Sequence, residues 1–182
     1  MAKSPVESPA EPPRLVLDTN VVLDWLYFRD PRCATLADAV TACRVRWIAS
    51  TAMRDEIEHV LARGSLGTRW PEGSASVRAG WQRWATMVDA GPAPTPPLLR
   101  CSDGDDQKFI DLALAMRAVA LLSADRAVLK LARRASAWGL AITTVSGWRP
   151  GPPAAALAAV QMQQVDAATD AAAAAAATTA SE

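Results

Sequence analysis

The sequence has few of the residues that build nitrogen and sulfur metal sites. It contains one histidine, His59, and three cysteines that form no close pair, Cys33, Cys43 and Cys101. This composition excludes a zinc-ligand spacing, and three cysteines cannot all be matched in disulfides. We therefore expect a reduced, cytoplasmic protein.

Long apolar runs are also missing. No stretch approaches the roughly 18 apolar residues that a membrane span needs, and residues 1–13 (MAKSPVESPAEPP) lack the apolar core of a signal peptide. Residues 1–13 are predicted to be a disordered segment, and residues 150–182, rich in alanine and without a basic residue, a low-complexity tail. One core domain is predicted for residues 14–149, with no membrane partner.

The formal net charge of zero hides an uneven distribution. Residues 14–149 hold 18 of the 19 basic and 14 of the 19 acidic residues, which gives this domain about +4. Such an excess permits a phosphate-bearing partner but does not identify one.

Residues 14–149 alternate between short apolar runs and amphipathic stretches. Strands are predicted at residues 14–18, 45–49, 98–101, 119–123 and 140–145. Helices are predicted at residues 19–28, 31–43, around 53–61, 77–88 and 109–116, and at 126–138, where Gly139 ends the last one. This alternation predicts an α/β fold, a three-layer α/β/α sandwich with a mostly parallel central sheet.

Acidic residues follow the predicted strands. Asp18 and Asp125 each lie between a strand and a helix, and Asp103, Asp105 and Asp106 precede another helix. Each aspartate alone is as readily explained as a helix N-cap. Because the carboxyl ends of parallel strands share one sheet edge, we expect these acids to meet there. Clustered carboxylates repel one another, which favours a cation among them.

A fourth acid is expected from the helix of residues 50–61. Its candidates are Asp55, Glu56 and Glu58. Glu56 flanks the apolar stripe that contains Ile57 and Val60, whereas the other two lie farther towards solvent. Glu56 is therefore the preferred candidate.

Four segments resemble the conserved blocks of PIN domains. They are LDTNVVL at 17–23, STAMRDEIEHVL at 50–61, DGDDQKFIDLALA at 103–115 and LLSADRAVLKLA at 121–132. The resemblance covers about residues 14–148 and is closest to the toxin PIN group (VapC-like) of bacterial toxin–antitoxin systems. The chain departs from the family in having SAD where TGD is common, and in its alanine-rich tail.

The resemblance implies a nuclease that hydrolyses RNA phosphodiester bonds. Its catalytic and metal-binding acids would be Asp18, Glu56, Asp106 and Asp125, supported by Asn20 and Ser123 and, more weakly, by Asp103. Oxygen ligands without paired histidine or cysteine favour Mg²⁺ or Mn²⁺. The resemblance also implies an RNA substrate, a cognate antitoxin and a homodimer.

Two other folds that place aspartates at strand ends fit the sequence less well. A receiver domain needs a late lysine after a strand, and a haloacid-dehalogenase-like phosphatase needs an acid where Asn20 stands. The remaining alternative is a PIN fold that binds RNA or a protein without catalysis. Lys108 either approaches a phosphate or is a surface lysine, while Trp81 and Trp84 are expected to pack in the core.

Overall fold

A five-stranded parallel sheet forms the centre of the chain. The structure, a computed structural model, describes residues 11–64, 72–92 and 97–151. The strands are β1 (Arg14–Leu17), β2 (Arg46–Ala49), β3 (Ala85–Met87), β4 (Ala120–Leu122) and β5 (Ala141–Thr143), in the spatial order β3-β2-β1-β4-β5. All pairings between neighbours are parallel. The predicted three-layer α/β/α fold is confirmed.

The helices connect the strands. They are α1 (Thr19–Val22), which continues as a π-helical turn (Leu23–Tyr27), a 3₁₀ turn (Pro31–Cys33) leading into α2 (Ala34–Thr41), α3 (Thr51–Ala62), α4 (Gly73–Trp84), α5 (Gln107–Ala115), α6 (Arg126–Leu129), α7 (Ala132–Ala135) and a 3₁₀ turn (Ser136–Trp138). Gly139, at φ 73°, ends this last turn as predicted. The segment predicted as one helix at 126–138 is thus three short pieces.

The sheet register brings two sequence-distant junctions together. β1 pairs with β4 so that Leu17 lies opposite Leu122. The pairing continues one step further, because the Asp18 N–H donates to the Leu122 carbonyl at 2.9 Å. The residues that follow these two central strands, Asp18 and Ser123, therefore lie side by side at the carboxyl edge of the sheet.

Two predictions about the sheet are wrong. Residues 98–101 form no strand, and the helix predicted to reach Val88 ends at Trp84. The third strand is β3, which continues its backbone pairing with β2 through the Val88 N–H and the Ala49 carbonyl at 2.9 Å. The spacing of apolar residues could not reveal this edge strand, since three residues are too few to show alternation.

Tryptophans fill the core between the sheet and α4. Trp25 stacks on Trp84 with ring centroids 5.0 Å apart, and Trp47 meets Trp81 edge-on at 4.8 Å. Trp81 and Trp47 are buried, and Trp84 packs partly buried against the core. The core role expected for Trp81 and Trp84 is what the structure has.

The compact unit runs from Pro13 to Pro150. Most of the predicted N-terminal segment and nearly all of the predicted tail lie outside the described residues. None of the helices within the described ranges has the length and apolar character that crossing a membrane requires.

Candidate functional site

A hydrogen-bonded pair of buried polar residues lies at the centre of the candidate site. Asp18 and Ser123 are 2% and 1% exposed. The Ser123 hydroxyl donates a 2.6 Å hydrogen bond to Asp18 Oδ2. Burial raises the pKa of Asp18, the hydrogen bond from Ser123 opposes the rise, and the nearby charges of Glu56 and Asp125 add to it. Burial and the neighbouring carboxylates thus both disfavour the ionised form of Asp18.

Asp125 begins α6 and makes the hydrogen bond of a helix cap. Its Oδ1 accepts from the Ala127 N–H at 2.6 Å, and its own N–H donates to the Ser123 hydroxyl at 2.9 Å. Ser123 therefore links Asp18 to Asp125. The capping interpretation holds for Asp125, although capping leaves its other carboxylate oxygen available for a second role.

Burial and neighbouring charges also perturb the ionisation of Asp106. It lies directly before α5 and is half-buried. Its pKa is raised from 3.8 to about 6, first by burial and then by the charges of Asp18, Asp125 and Asp103, while Lys108 lowers it. The shift shows that Asp106 shares the electrostatic field of Asp18 and Asp125.

Capping does not explain the positions of Asp18 and Asp106. Both stand at the N-cap positions of their helices, α1 and α5, yet neither side chain accepts a capping hydrogen bond. The backbone N–H of Asn20 lies near enough to lower the pKa of Asp18, but Asp18 does not make the side-chain hydrogen bond of a helix cap. A structural role at the helix start is therefore a weaker account of these two aspartates than of Asp125.

Two of the three supporting candidates, Asn20 and Asp103, are exposed. Asn20 acts on Asp18 through its backbone N–H. Asp103 accepts a 2.9 Å hydrogen bond from the Asp105 N–H, which fixes a turn. Its effect on the site is electrostatic, through the pKa of Asp106.

The structure separates the three acids of α3. Asp55 is solvent-exposed, and its carboxylate lies 3.8 Å from Arg54. Glu58 forms an ion pair with Arg78 at 2.8 Å on the surface. Glu56 instead acts on the pKa of Asp18.

A lysine side chain lies against the carboxylate of Glu56. The Lys108 Nζ lies 2.6 Å from Glu56 Oε2, and both side chains are partly buried. Sequence reasoning left Lys108 between a phosphate contact and a surface position, and did not pair it with Glu56. The helical spacing on α5 gave no signal for a partner on α3.

Gln107 is a positioning residue that sequence reasoning missed. Its side-chain carbonyl accepts from the Cys101 N–H at 2.8 Å, and its amide donates to the Leu99 carbonyl at 2.9 Å and to Asp111 at 2.8 Å. These bonds fasten the segment before Asp106 to α5. An amide directly after the last acid of the DGDD run was the available signal.

Asp18 thus lies within electrostatic reach of Glu56, Asp106 and Asp125, and Asp106 within reach of Asp125 as well. Within residues 11–64, 72–92 and 97–151, however, no three acidic, histidine or cysteine side chains stand close enough together to hold a metal ion as they are placed. The donor chemistry fits a hard divalent cation, because it consists of carboxylate oxygens. In the same described ranges, Glu56 Oε2 is buried without a hydrogen-bond partner.

Comparisons with known proteins agree with this architecture. A sequence profile described as PIN domain matches residues 14–127, a span that contains all four acids. A similar solved structure is VapBC2 from Rickettsia felis bound to a DNA fragment from their promoter. That likeness has a TM-score of 0.52 and 12% identity, and covers 71% of this chain and 96% of the other, so it supports the fold. No curated protein matches the chain.

Proposed function

The chain belongs to the PIN domain family, and from this premise we propose that it is a metal-dependent endoribonuclease. The observation that carries the proposal is the shared electrostatic field of Asp18 and Asp106. Burial and neighbouring carboxylates raise the pKa of both. Such an arrangement costs stability unless a bound cation offsets the repulsion, and it is typical of functional sites.

The acids have distinct parts in this proposal. Asp18 and Asp106 are the most direct ligands of Mg²⁺ or Mn²⁺, and Glu56 and Asp125 complete or orient the shell. When bound, such an ion supplies positive charge for a phosphate in the transition state and acidifies water. Ser123 orients Asp18 through its 2.6 Å hydrogen bond, and Asn20 supports the same carboxylate.

RNA is the proposed substrate and a second protein the proposed partner. The excess of basic residues in 14–149, about +4, supports attraction of a phosphate backbone. The similar solved structure is of VapBC2 on promoter DNA. By analogy we propose that this chain is the toxin of a toxin–antitoxin pair, with a cognate antitoxin and a homodimeric state.

The proposal is tested by cleavage of end-labelled RNA. Purified full-length protein is incubated with a mixed RNA pool, or with single-stranded DNA, in Mg²⁺, Mn²⁺ or EDTA. We expect metal-dependent RNA cleavage that Asp106→Asn and Asp18→Asn each abolish, with circular dichroism spectra that match the wild type. Exposed Asp38→Asn, on α2, is the matched control.

Three outcomes bear on the proposal differently. Cleavage of DNA alone would keep the nuclease and replace the substrate. Cleavage that persists in EDTA, or in both variants, would contradict the assignment of the site. RNA binding without cleavage, sensitive to salt and indifferent to chelator, would favour the inert PIN module.

A further inference from the structure

Lys108 is the one side chain that brings positive charge into direct contact with a candidate metal ligand among the described residues. Its Nζ lies 2.6 Å from Glu56 Oε2, with 26% of the lysine and 31% of the glutamate side chain exposed. The ammonium also donates to the Asp105 carbonyl and lies 4.9 Å from the Phe109 ring centroid. Three contacts thus fix its position on α5.

The contact with Glu56 is one of charge. Within the described residues, Glu56 Oε2 is buried and has no partner with hydrogen-bond geometry, even though Lys108 Nζ is only 2.6 Å away. The ammonium charge therefore neutralises this carboxylate oxygen at close contact. Such an oxygen keeps its lone pairs available for another cation.

We propose that Lys108 is a built-in counter-cation, which neutralises Glu56 in the metal-free protein and has to leave when a divalent ion binds. This inference rests on the proposed metal site. Two cations cannot share one carboxylate oxygen at contact distance without repulsion. Lys108 therefore sets the metal concentration at which the site fills.

The structure provides a place for the displaced side chain. Lys108 lines a cavity of about 490 Å³ that is also lined by Asp89 and Asp111. Asp111 lies three residues after Lys108 on α5, the spacing at which helical side chains are neighbours. The ammonium can thus exchange Glu56 for other carboxylates without leaving the protein surface.

The test measures metal binding in the absence of RNA. Mn²⁺ is titrated into wild-type protein, Lys108→Met, Lys108→Gln, Lys108→Arg and Lys130→Met, and free Mn²⁺ is followed by electron paramagnetic resonance. Lys130 is the matched control, because it is an exposed lysine that directly follows α6. The same proteins are melted in EDTA and in saturating Mn²⁺.

We expect Lys108→Met and Lys108→Gln to bind Mn²⁺ about tenfold more tightly, the size expected for removing a unit charge beside a partly exposed carboxylate. Both should melt lower than wild type in EDTA, and Mn²⁺ should close the gap. Lys108→Arg and Lys130→Met should bind like wild type.

Failures of the inference and of the metal site are distinguishable. Mn²⁺ binding that is equal or weaker in Lys108→Met and Lys108→Gln would overturn the counter-cation, and would leave the metal site standing. A lysine that only contacts RNA phosphate would give this result. Absence of Mn²⁺ binding in every protein, Lys108→Met included, would overturn both.

Discussion

Asp106→Asn should stabilise the metal-free protein at neutral pH while it destroys the proposed activity. The pKa of Asp106 is raised from 3.8 to about 6, with burial the first cause and the charges of Asp18, Asp125 and Asp103 next. The charged form of this carboxyl is thus less favourable in the folded than in the unfolded chain. Asparagine keeps the shape of the side chain and removes that charge.

The sign and size follow from linkage. Because the pKa of Asp106 is raised on folding, the folded state is most stable below pH 4, where the carboxyl is protonated in both states. It loses stability as pH rises through about 6 and the carboxylate forms in the folded chain. A shift of about two units corresponds to about 3 kcal/mol at full strength. Because Asp106 is half-exposed, screening by solvent reduces this to about 1 kcal/mol.

Urea unfolding, followed by circular dichroism in EDTA at pH 7.5 and pH 4, measures the effect. We expect Asp106→Asn to raise the free energy of unfolding by about 1 kcal/mol at pH 7.5 and to have little effect at pH 4. Asp38→Asn, at an exposed position of α2, should be neutral at both pH values. With Mg²⁺ the order should reverse, since only the wild type gains from binding the ion.

One result would refute this reasoning. If Asp106→Asn were equally or less stable than wild type at pH 7.5 in EDTA, the carboxylate would not be under electrostatic stress. The shared field on which the metal site is built would then be an incorrect interpretation of the geometry.

Three further predictions concern stability, each measured by urea unfolding at pH 7.5. Ser123→Ala should lose about 2 kcal/mol, because a buried hydroxyl that joins Asp18 at 2.6 Å and the Asp125 N–H at 2.9 Å is removed; a loss below about 0.5 kcal/mol would contradict this. Gly73→Ala should lose about 1–3 kcal/mol, since a Cβ there meets the buried Tyr27 ring at 2.5 Å, whereas Gly104→Ala, with no atom within 4 Å, should be near neutral. Equal effects in the two glycine variants would speak against the close approach. Glu58→Gln should cost less than about 1 kcal/mol, because its ion pair with Arg78 is half-exposed; a larger cost would mean that this pair is structural.

The fold was largely predictable because buried parallel strands and amphipathic helices leave strong periodic patterns. The segments around β1, β2, β4 and β5 are short, mostly apolar runs, and all four appear in the sheet. β3 was not predicted because it is a three-residue edge strand, with Thr86 and Met87 exposed. The π-helical turn at Leu23–Tyr27 and the division of 126–138 into short helices depend on packing that sequence spacing does not express.

From the sequence, the candidate site can be proposed as a set of acids but not as a set of contacts. Position after a strand selects Asp18 and Asp125, because the topology of a parallel sheet brings strand ends together. The apolar stripe of α3 selects Glu56. The partnership of Lys108 with Glu56 joins two helices that are far apart in the sequence. No local rule predicts such a pair, and the same holds for the bonds by which Gln107 fastens the segment before Asp106.

The most direct test of the central claim compares two glutamates of α3, Glu56 and Glu58. Initial rates of RNA cleavage are measured for wild type, Glu56→Gln and Glu58→Gln in Mg²⁺ and in EDTA. The two variants lose the same charge two residues apart, one beside Asp18 and one on the surface with Arg78. The account predicts Mg²⁺-dependent cleavage that falls at least about 100-fold in Glu56→Gln and stays within about twofold in Glu58→Gln. Equal rates in the two variants would contradict it.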